Sequence, residues 1–304
     1  MSVLTNLTAV PNRIAIGCEY LQIVGRGGVE RSTLEKHLSP LGTKGKNEDG
    51  ESTGKPIARD ILKELEALKL AVDVGDDKIA LNEDLPQKQK NANEWADCLL
   101  PRLLEIFVDE RLAEDHGQKE VPETLAWLLA QNSLRAMRLS GEHAALLDKQ
   151  FKKGEQGALN FSNDQRFQNL VYWAKYLGFV ELQNLSGDIV ISDPARAIEV
   201  VLPRVFENDV ELSIGRFVER LGRILPVMEK GTVRTRVEER MLPEYARETP
   251  TFFSTSTALA IRRLELREVL QSEMKSDAAE VWVLPAGAGK TSRISHVRIK
   301  KAGT

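Results

Sequence analysis

The sequence predicts a mainly α-helical chain with small β-hairpins, an α+β protein built as three similar units in tandem. Three observations carry this expectation. Apolar residues recur at helical spacing over most of the chain. Twice, a helical stretch runs straight into two short alternating segments around a Gly-Asp turn. The same order is legible again near the C-terminus, which makes an internal repeat the simplest reading.

The first unit is the clearest. Pro11 suits a helix start, and Ile14, Tyr20, Leu21 and Val24 follow at helical spacing. Gly25-Arg26-Gly27-Gly28 ends that helix and resembles a phosphate loop only in glycine content. Val29 to Leu38 reads as a helix of about three turns, closed by Ser39-Pro40, and a polar loop follows from Gly42 to Gly54. Lys55-Pro56 opens a stronger helix with Ile57, Ile61, Leu65 and Leu68 on one face and Leu62 beside it. Its polar face carries Lys55, Arg59, Lys63 and Lys69. Leu70–Val74 and Lys78–Leu81 then flank Gly75-Asp76-Asp77 as a hairpin. Three helices followed by a hairpin is the order of a winged helix-turn-helix, assigned here to residues 1–86.

Residues 87–120, with Trp95 and Leu99–Phe107, read as a helical connector. Residues 121–200 repeat the first pattern. Val121–Leu139 and His143–Phe151 supply the early helices. Phe167, Leu170, Val171 and Trp173 mark the third helix, and Phe179–Glu181 with Gly187–Ile191 form the hairpin. Residues 201–304 form a third winged-helix-like domain. Its helices are expected over Ile214–Leu225, Val233–Met241 and Ala258–Leu270, the last with N-cap candidates in Ser254–Thr257. Two strands, Glu280–Leu284 and Arg293–Ile299, close it as a basic hairpin.

Composition narrows the function. With 42% hydrophobic and 29% charged residues, the 304-residue chain has the balance of a globular protein. No apolar run approaches the roughly 18 residues of a membrane span, and Met1–Leu7 lacks the features of a signal peptide. Cys18 and Cys98 alone make no disulfide framework. A cytoplasmic protein with no membrane partner is expected. The net charge is −3, yet residues 201–304 hold 18 Lys/Arg against 14 Asp/Glu. That asymmetry can orient the chain on an anionic partner.

Gly287-Ala288-Gly289-Lys290-Thr291 reads like the tail of a nucleotide-binding P-loop. The motif needs a glycine five positions before Gly289, where Leu284 stands, and it must lead into a helix rather than an alternating basic strand. A glycine-rich hairpin tip is the better reading. His37, His116, His143 and His296 lack zinc-ligand or catalytic spacing. Ser140 and His143 lie close in sequence without a nucleophile elbow, and a helix-to-helix turn is expected there. Trp127, Trp173 and Trp282 sit in apolar stretches and are assigned to the core. No catalytic residue, metal site or cofactor is expected, so the chain reads as a non-enzyme.

The DNA-contacting candidates are Lys55, Arg59 and Lys63 on the third helix of the first unit, and Lys290, Arg293, Arg298 and Lys300 on the last hairpin. His296 and Lys301 add to the basic character there. Asp60, Glu64 and Glu66 lie among the first group and would repel phosphate. Two readings stay open. In one, the chain binds or bridges duplex DNA through its phosphate backbone. In the other it is a scaffold whose winged helices dock a partner ATPase or nuclease subunit without touching DNA. Either is compatible with a homo-oligomer.

The helix, helix, helix, hairpin order over residues 11–85 resembles the winged-helix superfamily. The opening Thr8-Ala9-Val10-Pro11-Asn12-Arg13-Ile14, followed by Val29-Glu30-Arg31, is similar to bacterial genome-defence accessory proteins of the DpdG kind. That resemblance covers most of the chain and rests on no catalytic motif. It implies a non-enzymatic adaptor in an antiviral, restriction-like system acting on foreign or modified DNA.

Overall fold

Helix α1 (Pro11–Val24) begins with its proline in the first turn and turns Ile14, Ala15, Cys18 and Leu21 into the core. Gly25, at φ 84°, ends it. This is a computed structural model. It describes every residue except 1, 7, 40–53, 87–88, 136, 153, 155–158, 160–162, 185–187, 248, 288 and 301–304, and the side chains of 54–56. The polar loop expected from Gly42 to Gly54 therefore falls outside the described residues up to its last position. The chain divides into two compact units, Met1–Leu103 with Glu114–Lys119 and Leu104–Ala113 with Glu120–Thr304.

In the first unit, the helix expected from Val29 starts two residues later. Val29–Glu30 is a short strand, β1, and α2 spans Arg31–Leu38. The reason is local. Gly28 (φ 68°) passes so close to the next strand that a Cβ there would lie 2.9 Å from the Ile79 carbonyl oxygen. The chain is thereby delivered as an edge partner rather than a helix. Helix α3 (Gly54–Ala67) buries Ala58, Ile61, Leu62 and Leu65 on one face. Strands β2 (Ala71–Gly75) and β3 (Lys78–Leu81) form the expected hairpin, and the sheet order is β1–β3–β2. Helix α4 (Ala92–Val108) brings in Trp95, fully buried, whose Nε1 donates to Gln22 Oε1 at 3.1 Å.

After α5 (Glu110–Asp115) comes α6 (Val121–Ala130), buried almost along its whole length. The expected helix to Leu139 stops at Ala130, and Met137–Arg138 forms strand β4 instead. The turn before His143 consequently joins a strand to α7 (His143–Gln150), not two helices. Helix α8 (Asp164–Leu177) is capped by Asn163, whose side chain accepts from the Gln165 N–H at 2.7 Å. It runs into β5 (Val180–Asn184) and β6 (Asp188–Ser192), and the order is β4–β6–β5. Gly187 of the expected turn lies outside the described residues.

Helix α9 (Ala195–Phe206) and strand β7 (Glu211–Ser213) precede the third set of helices. These are α10 (Ile214–Ile224), α11 (Thr232–Arg240) and α12 (Thr255–Leu266). Ser254 caps α12, as the sequence suggested. Strand β8 (Leu270–Glu273) follows, then β9 (Trp282–Pro285), β10 (Thr291–Ile294) and β11 (His296–Ile299). The single strand expected over Arg293–Ile299 is two strands. β10 pairs with β9, while β11 lies between β7 and β8 in a separate sheet of order β7–β11–β8. Buried Ser295 makes the switch, donating its N–H to the Glu273 carbonyl at 2.9 Å.

Each three-stranded sheet thus has the same order, first–third–second. The ends of α3, α8 and α12 repeat in finer detail. Lys69 (φ 53°), Gly178 (φ 83°) and Glu268 (φ 58°) each occupy the left-handed region one or two residues past the last helical residue. The next residue donates its N–H five positions back in every case: Leu70 to Leu65 at 2.8 Å, Phe179 to Ala174 at 2.8 Å, and Val269 to Leu264 at 2.9 Å. This is the Schellman arrangement, which satisfies carbonyls that a helix end otherwise leaves unpaired. It aims the chain into the second strand three times over. Among the described residues, no helix is long and apolar enough to cross a membrane.

Candidate functional site

On α3, Arg59 and Lys63 stand exposed one turn apart. Arg59 is within 3.6 Å of Glu35, itself on α2. The side chain of Lys55 lies outside the described residues. The acids expected to offset these cations are turned away or occupied. Asp60 Oδ2 accepts from Thr8 Oγ1 at 2.9 Å. Glu64 is fully buried and its Oε1 accepts from Gln118 Nε2 at 2.6 Å. Burial pushes its carboxyl up to about 7. Glu66 accepts from Arg31 Nη1 at 2.9 Å and from Nη2 at 2.6 Å, and Nη2 also donates to Asp73 at 2.9 Å. With Glu64 and Glu66 engaged, the solvent face of α3 around Lys63 is more basic than its sequence suggests, while Arg59 is partly offset by Glu35. The hairpin of this unit is the opposite: Asp73, Asp76 and Asp77 are all exposed near its turn.

In the second unit, Lys290 and Arg293 are exposed at the tip and on β10 of the last ribbon. The tip is a tight turn. Ala286 donates to the Lys290 carbonyl at 2.8 Å and Lys290 to the Gly287 carbonyl at 2.9 Å, with Gly287 and Gly289 at φ 79° and 72°. Thr291 then begins a strand. The loop thus lacks the following helix whose N-terminus would face a phosphate in a P-loop.

The remaining cations expected on that hairpin are placed elsewhere. Arg298 sits on β11, in the other sheet, and Lys300 is exposed just beyond it. Arg298 Nη2 donates to Glu211 Oε2 at 2.7 Å, and Lys275 binds the same carboxylate. These hydrogen bonds hold the Glu211 carboxyl down at about 2. Lys301 lies outside the described residues. Much of the positive excess of residues 201–304 is similarly absorbed by acids from earlier in the unit: Arg236 by Glu110 and Glu123, Arg240 by Glu123, Arg263 by Asp193, and Arg267 by Glu199.

Other singled-out residues are structural. His143 is buried and stacked on Phe167 at 4.3 Å. Trp127, Trp173 and Trp282 are in the core, and burial pushes the Cys18 thiol up. Among the described residues, no group of three or more His, Cys, Asp or Glu could hold a metal ion.

One feature escaped the sequence reading altogether. A cleft of about 600 Å³ in the second unit is lined by Arg234, Glu238 and Arg247 together with Gly287, Gly289, Lys290 and Thr291. The i,i+4 spacing of Arg234 and Glu238 on α11 was its only sequence signal, and such pairs are common on exposed helices.

Neither a curated protein nor a solved structure matches the chain. A family model does, over residues 1–278, under the description DpdG-like. That span takes in all of the first repeat, all of the second, and the third through β8, so the chain belongs to the DpdG-like family.

Proposed function

We propose that the chain is a non-enzymatic accessory protein that binds or bridges DNA in a bacterial, restriction-type anti-phage system, with its three repeats acting as winged helices. The family carries the defence-associated accessory role. The observation that favours DNA contact is on α3, where Arg59 and Lys63 face solvent while Glu64 and Glu66 are buried or paired. In a helix-turn-helix the corresponding helix is the one that enters the major groove. Lys290 and Arg293 provide a second cationic surface on a hairpin, suited to phosphate contact.

Fluorescence anisotropy with duplex and single-stranded DNA at low salt tests this reading. Binding should weaken steeply with salt, as counterion release requires. Neutralising Arg59 with Lys63, or Lys290 with Arg293, should weaken it further. If neither form of DNA binds, the proposal is wrong.

A second reading is supported by the acidic hairpin of the first unit, where Asp73 and Asp77 share the one Arg31 with Glu66 and Asp76 is exposed, leaving a net negative surface that would repel phosphate. Here the chain is a scaffold docking a partner ATPase or nuclease. Co-purification from the native host of a stable partner, by a chain with no DNA affinity of its own, would select it.

A further inference from the structure

Three charged side chains in the second unit, one buried and two half-buried, form a chain of hydrogen bonds that does not close. Arg234, 1% exposed, donates from Nε to Glu238 Oε1 at 2.6 Å and from Nη1 to the Ala126 carbonyl at 3.1 Å. Arg247 donates from Nε and Nη2 to the same carboxylate, at 2.9–3.1 Å. Burial alone would raise the Glu238 carboxyl, but the two guanidinium groups outweigh it and hold it below its ordinary value. The triad carries one net positive charge. Two of its donors, Arg234 Nη2 and Arg247 Nη1, are buried without a hydrogen-bond partner among the described residues.

A buried charge left uncompensated is costly, and so is an unmet guanidinium N–H. Both arginines line the cleft of about 600 Å³, which is within the range of small-ligand sites. Lys290 lines it from the glycine turn. With Glu238 and Glu244, the charged lining is three cations against two anions. The remaining lining includes Leu134, Tyr245, Phe252 and Pro285, and the first two are exposed large apolar groups. The N-terminus of α12 opens nearby but is already engaged. The Glu229 carboxylate accepts from the Ser254 N–H at 3.0 Å and from Thr257 Oγ1 at 2.7 Å.

We propose that this cleft binds a phosphorylated nucleoside, its phosphate held by Arg234, Arg247 and Lys290 and its base laid against Tyr245 and Phe252. Arginine forks match phosphate oxygens in geometry as well as charge. The glycine turn lets Lys290 close over the ligand without needing a P-loop, and the proposal involves binding only. Such a group can belong to a free mononucleotide or to the 5′ end of a strand. The site shares Lys290 with the proposed hairpin contact to DNA but none of Arg59, Lys63 or Arg293, so Arg247→Met, which lies on no proposed DNA surface, separates the failure of one idea from the failure of the other.

The test is thermal unfolding and calorimetric titration of the full chain with AMP, GMP, CMP, dTMP, adenosine, and a short single strand with or without a 5′-phosphate. At least one mononucleotide or the phosphorylated strand should raise Tm by about 5 °C at saturation. The unphosphorylated counterparts should not. Lys290→Ala, at an exposed position, should weaken Kd about tenfold, and Arg247→Met should abolish binding. Binding by mononucleotides alone assigns the free ligand, and binding by the phosphorylated strand assigns the strand end. No binding at millimolar concentration, equal binding of adenosine and AMP, or binding unchanged in both variants would overturn the proposal.

Discussion

Arg298 and Glu211 are joined across neighbouring strands, Nη2 to Oε2 at 2.7 Å, with the Arg298 backbone register facing Glu211 directly. The carboxylate neutralises much of what the arginine could offer a phosphate. Arg298→Ala should therefore reduce DNA affinity less than Arg293→Ala or Lys290→Ala, whose side chains are exposed on the other ribbon. The difference is readable as a salt slope. Loss of a true phosphate contact lowers it by about one charge, whereas Arg298→Ala should leave it nearly unchanged.

Glu64 should make the stability of the first unit depend on pH. Its carboxyl is raised in the folded chain, to about 7, so the fold binds a proton more readily than the unfolded chain does. The stabilising contribution is full below the unfolded value near 4.5 and is lost as pH rises through about 7. Urea unfolding at pH 5 and pH 8 should show Glu64→Gln gaining on the native chain by up to ~3 kcal/mol at the higher pH. An equal effect at both pH values would remove Glu64 as the cause.

The repeated helix ends predict opposite outcomes at equivalent positions. Gly178→Ala places a Cβ 2.7 Å from the Ala197 nitrogen at φ 83°, and should cost about 2 kcal/mol or more. Glu268→Gly relieves a side chain held at φ 58° and should raise stability by about 0.5–1 kcal/mol. Thermal melts decide both, and a stabilising Gly178→Ala would contradict the geometry.

Trp282 anchors the last ribbon. It is fully buried, with Phe253 at 4.6 Å between ring centroids and its Nε1 donating to Glu280 at 2.8 Å. Trp282→Ala should cost about 3–5 kcal/mol. Indole fluorescence should move to the red on unfolding, and the variant should melt well below the native chain.

The helices were legible because apolar periodicity survives in a single sequence. Ile61, Leu62 and Leu65 on α3 and Phe217, Val218 and Leu221 on α10 all point inward as the spacing indicates. The two-residue strands β1 and β4 were not legible, since Val29–Glu30 and Met137–Arg138 are too short for any alternation to register. The overrun of the last long helix has a related cause. Glycine marks the turn at Gly178, but Glu268 adopts the same left-handed conformation without the residue that signals it. Charge was the least legible property. Free, paired and buried acids look alike in a sequence, so Glu64 and Glu66 read as opponents of Arg59 and Lys63 when the first is buried and the second is paired with Arg31.

The central strand of the third sheet, β11, follows both of its neighbours in sequence. β11 separates β7 from β8 and supplies the pairing edge for both. During synthesis, β7 and β8 must therefore wait, each with an open edge, until residues 296–299 leave the ribosome. A nascent chain halted after β8 would present two strands ready to pair with another chain, so β11 acts as a closing stitch against aggregation.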